Sequence, residues 1–204
     1  MTSDARPPGL RERTRRAVHR EIAQAAATLF LEQGFDATTV DQIAAAAGIS
    51  RRSFFRYFAT KEDVVLGDMV ERGQVLHAAL AARPAGEDPW ESLAEAFRVL
   101  RASVGDPRPE EVALGRLLHE EPALHAKRLE KQLAWQAVLV PELARRLEAD
   151  GVAAGTARHR AGALVATALA CLDVAVDTWL RGGATEDLEA LWWDAVATVR
   201  GRAR

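Results

Sequence analysis

The stretch that most constrains this chain covers residues 38–61 and reads TTVDQIAAAAGISRRSFFRYFATK. Thr39, followed three residues later by Gln42, matches a capping box at the start of a short helix. Gly48 ends that helix, because glycine tolerates the left-handed conformation at a helix C-terminus. Ser50 is then placed to cap a second helix. A turn this short forces the two helices to cross steeply, which is the helix-turn-helix arrangement.

The second helix of this motif separates apolar from polar side chains. Its expected apolar anchors are Ile49, Phe54, Phe55 and Phe58. The polar side chains left for the outer face are Arg51, Arg52, Ser53, Arg56 and Tyr57. A helix-turn-helix whose outer helix carries hydrogen-bond donors is suited to the major groove of DNA.

Composition bounds the fold but adds little to the case for DNA. The chain has 204 residues, of which 49% are hydrophobic and 27% charged, so a globular fold with a proper core is expected. Residues 1–66 hold ten basic and eight acidic residues, a net +2, and the remainder holds 17 and 21, a net -4. Only three of the 27 basic residues are lysines, so the abundance of arginine reflects general composition and is weak support for DNA binding.

Cysteine content and hydrophobic runs bear on the compartment. The single cysteine, Cys171, rules out an internal disulfide and fits a reducing environment. No export signal is visible, and the longest apolar run, residues 161–172, is too short to span a bilayer. We therefore expect a cytoplasmic protein without a membrane segment.

Helical spacing recurs along the chain and predicts an all-α fold with about nine helices. A disordered arm is expected over residues 1–12, a helix-turn-helix domain over 13–60, and a ligand-binding and dimerisation domain over 61–204. Pro141 should kink or divide a helix near Val140. The expected helices cover residues 13–33, 39–47, 50–58, 60–82, 88–103, 109–119, 122–150, 156–180 and, after a cap at Thr185, the C-terminal segment.

Residues 13–66 resemble the DNA-binding domain of TetR-family transcriptional regulators. The matching residues are Phe30, Gly34, Phe35, Thr38, Thr39, Val40, Ile43, Ala44, Gly48, Ile49, Ser50, Phe54, Phe55, Tyr57, Phe58, Lys61 and Glu62. The resemblance implies that Thr39, Tyr57 and Lys61 hold the phosphate backbone. It also implies that Arg51, Arg52 and Ser53 face base edges.

One position departs from the family pattern. Where the family often has a tyrosine in the middle of the recognition helix, this chain has Phe55, so a phosphate contact from that hydroxyl is lost and a packing role is expected. Four N-terminal arginines are candidates for DNA contacts, although a solvated face explains them equally well: Arg11, Arg13, Arg15 and Arg16.

The C-terminal part carries a weaker signal. Residues 117–135 are similar to the ligand domain of a TetR subgroup that binds acyl-CoA-like effectors, the type found with mycofactocin regulators. An effector cavity would then be lined by apolar residues of the middle helices, although each of these is also a candidate for plain core. The candidates are Phe97, Leu114, Leu118, Trp135, Leu139 and Leu172.

Several polar residues of the C-terminal part are candidates for other chemistry. Asp173 and Asp177 lie one turn apart in a nearly apolar helix, so they should be paired, line a cavity or lie at a dimer surface. The segment from His119 to His125 does not place two metal ligands on one helical face, so no metal site is expected. No catalytic constellation and no cofactor motif emerges, and the chain is not expected to be an enzyme.

The sequence therefore predicts a homodimeric, ligand-responsive transcriptional regulator. A repressor released from a palindromic DNA operator by a small apolar or acyl-CoA-like effector is the leading hypothesis. Dimerisation is expected through the last two helices, which carry Trp179, Leu188, Leu191, Trp192, Trp193 and Val196. An activator of the same family is one alternative, and a helical small-molecule-binding protein without DNA binding is the alternative from another class.

Overall fold

The computed structural model describes residues 10–66 and 69–201, and this part of the chain is helical without a β-strand. It contains ten α-helices and one 3₁₀ turn, Pro122–Leu124, which confirms the predicted all-α fold. The helices are α1 (Leu10–Gln33), α2 (Val40–Ala46), α3 (Arg51–Tyr57), α4 (Lys61–Leu66), α5 (Met69–Ala81), α6 (Pro89–Val104), α7 (Pro109–Glu120), α8 (His125–Ala149), α9 (Ala154–Arg181) and α10 (Leu188–Val199).

The chain divides into two compact units, residues 1–67 and 68–204. Helices α1 to α4 fall in the first unit and α5 to α10 in the second. The predicted functional boundary, between residues 60 and 61, stays a prediction.

The first unit is built on a stripe of buried side chains along α1. Ile22, Ala26 and Phe30 follow one another every four residues, so they share one face of the helix, and all three are buried. Helix α1 packs against α2 and α4, and α2 packs against α3. Ile43 of α2 and Phe54 of α3 are fully buried in the same unit, so the helix-turn-helix is anchored from within.

The second unit is a helical bundle. Helix α8 packs along α9, α5 packs against both α6 and α8, and α10 packs against α9. Its core includes the fully buried Leu93, Leu139 and Val165, together with Trp192 of α10. The same core surrounds the cavity described below.

Helix α9 is long and apolar enough in composition to cross a membrane, whereas the apolar run at residues 161–172 is predicted from the sequence to be too short to do so. The full helix of 28 residues is what passes this test. Its buried residues are Ala157, Ala161, Val165, Ala168, Leu169, Cys171, Ala175 and Leu180. The core helix of a soluble protein passes the same test.

Three predicted boundaries need correction. Helix α1 begins at Leu10, so residues 10–12 are not part of a disordered arm, and residues 1–9 lie outside the described part. Helix α8 continues through Pro141, so the helix is not divided there, and the alternative of a kink stays a prediction. Leu139 and Leu143, on either side of this proline, are buried in the core, and this packing offsets the backbone hydrogen bond that proline removes.

The start of α10 is also different from the prediction. Asp187 caps this helix by accepting a hydrogen bond from the Glu189 amide at 2.9 Å. Thr185 instead donates its hydroxyl to the Gly182 carbonyl at 3.0 Å. The helix predicted over residues 60–82 corresponds to α4 and α5, and its middle, at residues 67–68, lies outside the described residues.

Candidate nucleic-acid interface and ligand cavity

A reciprocal cap fixes the start of α2. The Thr39 hydroxyl oxygen accepts a hydrogen bond from the Gln42 amide at 3.2 Å, and Gln42 Oε1 accepts one from the Thr39 amide at 2.8 Å. Gln33 at the end of α1 adds a third contact by donating to Gln42 Oε1 at 3.2 Å. The predicted capping box is confirmed, and it holds Thr39 in an exposed position.

The turn between α2 and α3 closes as the sequence predicts. Gly48 has a φ of 66°, in the left-handed region that favours glycine. The Ile49 amide donates to the Ala44 carbonyl at 2.9 Å and the Gly48 amide to the Ala45 carbonyl at 3.1 Å, the two bonds of a Schellman motif. Ser50 then caps α3 by accepting from the Ser53 amide at 3.1 Å.

Helix α3 presents different faces to the core and to the outside. Phe54 and Phe58, four residues apart, are both buried. The centroid of the Phe58 ring lies 3.9 Å from the centroid of the His19 ring. Phe55 points away from this face and keeps 45% of its side chain exposed. The expected packing role of Phe55 is therefore only partial: its ring meets that of Phe54 edge-on, with 5.5 Å between the centroids, and the rest of the side chain is exposed.

Arg51 has defined partners on the outer surface. Its Nη1 lies 2.6 Å from Asp41 Oδ2, and both side chains are about 60% exposed (62% and 61%). The guanidinium also lies 5.5 Å from the centroid of the Phe55 ring. Arg52, next in the helix, is exposed. Arg51, Arg52 and Phe55 thus lie on the exposed face of α3, as does Arg56.

The residues expected at the phosphates are placed at the edges of the motif. Lys61, at the start of α4, donates a hydrogen bond from its ammonium group to the Phe35 carbonyl at 2.7 Å. The same nitrogen lies 4.1 Å from the centroid of the Phe35 ring. An ammonium has three donors, so up to two remain for a phosphate. Tyr57 is half-buried, with the Arg56 guanidinium 5.1 Å from its ring centroid.

Ser53 is half-buried, and its hydroxyl oxygen accepts a hydrogen bond from the Ser50 hydroxyl at 3.0 Å. Of the four N-terminal arginines, Arg15 is exposed, and the side chains of the other three lie outside the described part. All DNA-contacting roles assigned above stay predictions.

The exposed face of α3 can read base pairs in two chemically different ways. A guanidinium fork donates two hydrogen bonds to the O6 and N7 acceptors of guanine. An exposed aromatic ring contacts the thymine methyl group instead. Arg51, Arg52 and Phe55 place both types of side chain on one short helix.

The second unit contains a cavity of about 280 Å³. Most of its wall is apolar and comes from α6, α8 and α9. Charged side chains also line it, namely Arg72, Arg101, Lys131 and Asp173. The cavity therefore combines an apolar body with a small number of charged groups, as is typical of small-molecule sites.

Three of the predicted ligand-binding residues line this cavity: Phe97, Trp135 and Leu172. The other three lie elsewhere. Leu139 is fully buried in the core, and Leu114 and Leu118 are half-buried on α7 outside the cavity wall. Binding by any of the six stays a prediction.

The two acids of α9 have different surroundings. Asp173 lines the cavity. Asp177 is paired, with Oδ1 lying 3.0 Å from Arg181 Nε and 3.4 Å from His119 Nε2. Within the described part of the chain, no three His, Cys, Asp or Glu side chains form a group able to hold a metal ion.

Sequence reasoning missed the polar residues of the cavity. Lys131 precedes Trp135 by four residues on α8, so the two share a face, and the ammonium lies 5.2 Å from the Trp135 ring centroid. Projecting α8 from Trp135 at helical spacing would have identified this lysine. His119 and Arg101 reach the cavity from other helices, which the sequence alone does not show.

The chain is similar to known bacterial transcriptional regulators. The profile described as bacterial regulatory proteins, tetR family, matches residues 22–67. Over 149 residues the chain is 38% identical to the HTH-type transcriptional regulator TcmR of Streptomyces glaucescens, covering 70% of this chain and 66% of TcmR. It is also 45% identical over 56 residues to the putative mycofactocin biosynthesis transcriptional regulator MftR of Mycobacterium tuberculosis, covering 28% of each chain.

A solved structure extends the likeness to nearly the full length. The structure of FadR from Thermus thermophilus, a TetR-family transcriptional repressor in complex with lauroyl-CoA, has a TM-score of 0.54 and 25% identity, covering 90% of this chain and 94% of FadR. The matched segments span less than two thirds of the curated relatives' own length. The short match to MftR leaves the predicted mycofactocin-type C-terminal part a prediction.

Proposed function

Because the chain belongs to the TetR family of bacterial regulatory proteins, we propose that it is a cytoplasmic, ligand-responsive transcriptional repressor that binds a palindromic DNA operator. The observation that carries the proposal is the exposed face of α3, where Arg51, Arg52 and Phe55 project from a helix anchored by the buried Phe54. Such a helix in the major groove reads base edges, while Thr39, Tyr57 and Lys61 hold phosphates.

A palindromic operator requires two copies of the motif, and we propose a homodimer. Helix α9 supports it with a row of exposed small or branched residues at helical spacing, Ala163, Ala166, Ala170 and Val174. Small side chains allow a second helix to approach closely. Trp192 and Val196, expected at the dimer surface, are buried within their own unit, so the proposed interface relies on α9 more than on α10.

The cavity of the second unit supplies the proposed regulation. A small, largely apolar effector that binds there would favour a spacing of the two recognition helices that no longer matches both half-sites. An acyl-CoA-like effector is the longer alternative, favoured by the lauroyl-CoA complex of the similar FadR. Effector and operator must then weaken each other's binding by the same factor.

DNA binding is tested by titrating the full-length chain onto the DNA upstream of its own gene at several salt concentrations. The logarithm of affinity should fall linearly with that of salt concentration. Arg51→Ala and Arg52→Ala should each cost about 1–3 kcal/mol on the preferred site and relax its sequence preference. Equal binding of both variants and the wild type would contradict the proposed interface.

Two alternative functions predict different results in DNA-binding and reporter experiments. A helical small-molecule-binding protein without DNA binding would show no salt-dependent association with any duplex. An activator of the same family would bind the operator but lower reporter expression when its gene is deleted. If the protein is a repressor, deletion of its gene should instead raise reporter expression.

A further inference from the structure

The net charge of the cavity wall is opposite in sign to the net charge of residues 67–204. Residues 67–204 carry 17 basic and 21 acidic residues. The cavity wall nevertheless brings together three cations, Arg72, Arg101 and Lys131, with one acid, Asp173. With His119 neutral, and with Asp106 included because it pairs with Arg101 beside the wall, the net formal charge is +1. A wall that is cationic inside an acidic unit favours an anionic occupant.

The three cations are not equally available to such an occupant. Arg101 is already engaged, because its guanidinium donates to the Gly105 carbonyl and lies 3.2 Å from Asp106 Oδ1. Arg72 is exposed to solvent, which screens its charge. Lys131 is partly buried and presents its ammonium at the cavity wall beside the ring of Trp135.

Lys131 lacks a conventional partner for its charge. No described residue accepts a hydrogen bond from its Nζ or forms an ion pair with it within 4 Å. Asp173 acts on it at longer range and raises its pKa, while burial, the larger effect, lowers that pKa. A buried ammonium gains most from an acceptor that replaces the water it has lost.

From this geometry we infer that the cavity binds a small amphipathic anion, with a compact ring system against Trp135 and Phe97 and one carboxylate or similar acidic group at Lys131 Nζ. The size agrees, since 280 Å³ is the liquid volume of roughly nine water molecules at about 30 Å³ each. That volume suits two fused rings. The inference rests on the proposed function only in treating this anion as the effector.

Binding of 2-naphthoate to the full-length chain tests the inference, with neutral 2-naphthamide as its matched probe. Calorimetry should show the anion binding at least about tenfold more tightly than the amide, because a hydrogen bond to a charged group is the stronger kind. Lys131→Met should remove that preference, and Lys131→Arg should retain it. Lys127→Met, the same change on α8 outside the cavity wall, should leave binding unchanged.

Equal affinity for the two probes, an unchanged preference in Lys131→Met, or no binding of 2-naphthoate, benzoate and decanoate would each overturn the inference. Circular dichroism melts of the variants confirm that each one is folded. DNA binding is measured separately on the same preparations. A chain that prefers the anion but binds no duplex would contradict the proposed function and leave this inference intact.

Discussion

Arg51 of the recognition helix α3 is held by Asp41 of the preceding helix, with 2.6 Å between Nη1 and Oδ2. Because both side chains are mainly exposed, the pair contributes less than about 1 kcal/mol to stability. In the proposed DNA interface, the carboxylate would compete with guanine for the guanidinium and repel nearby phosphates. We therefore expect Asp41 to restrain Arg51 on DNA that lacks the preferred base.

Asp41→Asn should raise the affinity for all duplexes. It should also lower the ratio of the affinity for operator DNA to the affinity for scrambled DNA. The amide no longer repels phosphates, and it leaves the guanidinium free to engage any acceptor. Fluorescence anisotropy with the two duplexes at fixed salt measures this ratio. Glu21→Gln, which removes an exposed charge from α1, serves as the control for net charge and should leave the ratio unchanged.

Phe54 and Phe55 are adjacent in sequence, but their replacement by alanine should affect different properties of the protein. Phe54 is fully buried, so Phe54→Ala should cost about 3–5 kcal/mol of unfolding free energy. Phe55 is 45% exposed, so Phe55→Ala should lose much less stability and instead weaken operator binding. Urea denaturation and anisotropy, run on both variants, separate the two effects. A large stability loss in Phe55→Ala would show that its ring is a structural anchor after all.

The sequence predicted those features that depend on neighbouring residues. The caps at Thr39 and Ser50 and the glycine turn at Gly48 require only three- or four-residue spacing, and all are present. Asp88, the first residue of the helix predicted over 88–103, caps α6 by accepting a hydrogen bond from the Trp90 amide at 2.8 Å. Local hydrogen-bond rules are sufficient for features of this kind.

Contacts between separate helices were not predictable in the same way. The pairing of Arg51 with Asp41 depends on the crossing of α2 and α3, and Lys61 reaches a carbonyl 26 residues away at Phe35. The exposure of Phe55 could have been predicted, because Phe54 and Phe58 already define the buried face at four-residue spacing. Arg146 shows the same limit, since it donates to the carbonyls of Arg83 and Pro84, which lie beyond α5.

Lys61→Ala should change both DNA binding and stability. Loss of one phosphate contact should reduce the slope of log affinity against log salt by about 0.9, equally for operator and scrambled DNA. Loss of the hydrogen bond to Phe35 should also cost about 1 kcal/mol of unfolding free energy. Salt titrations and urea denaturation measure the two effects. An unchanged slope together with the stability loss would assign Lys61 to structure alone.

Glu87 links the stability of the second unit to pH. Hydrogen bonds from Arg83, one of them at 2.8 Å, lower the pKa of Glu87 from 4.5 to about 2, against the opposing effect of burial. Ser92 helps by donating its hydroxyl at 2.7 Å. Since the folded state holds this carboxylate ionised, its contribution is complete above about pH 4.5 and is lost as the pH falls toward 2.

Glu87→Gln should therefore be less stable than the wild type at pH 7, and the difference should narrow progressively below about pH 4.5. The glutamine cannot ionise, so it retains no charged pairing with Arg83 that acid could remove. Urea denaturation of both proteins at pH 7, 5, 4 and 3.5 follows this difference, and taking it cancels the titration of the other carboxylates. A constant difference across the series would show that the folded and unfolded chains bind the Glu87 proton equally.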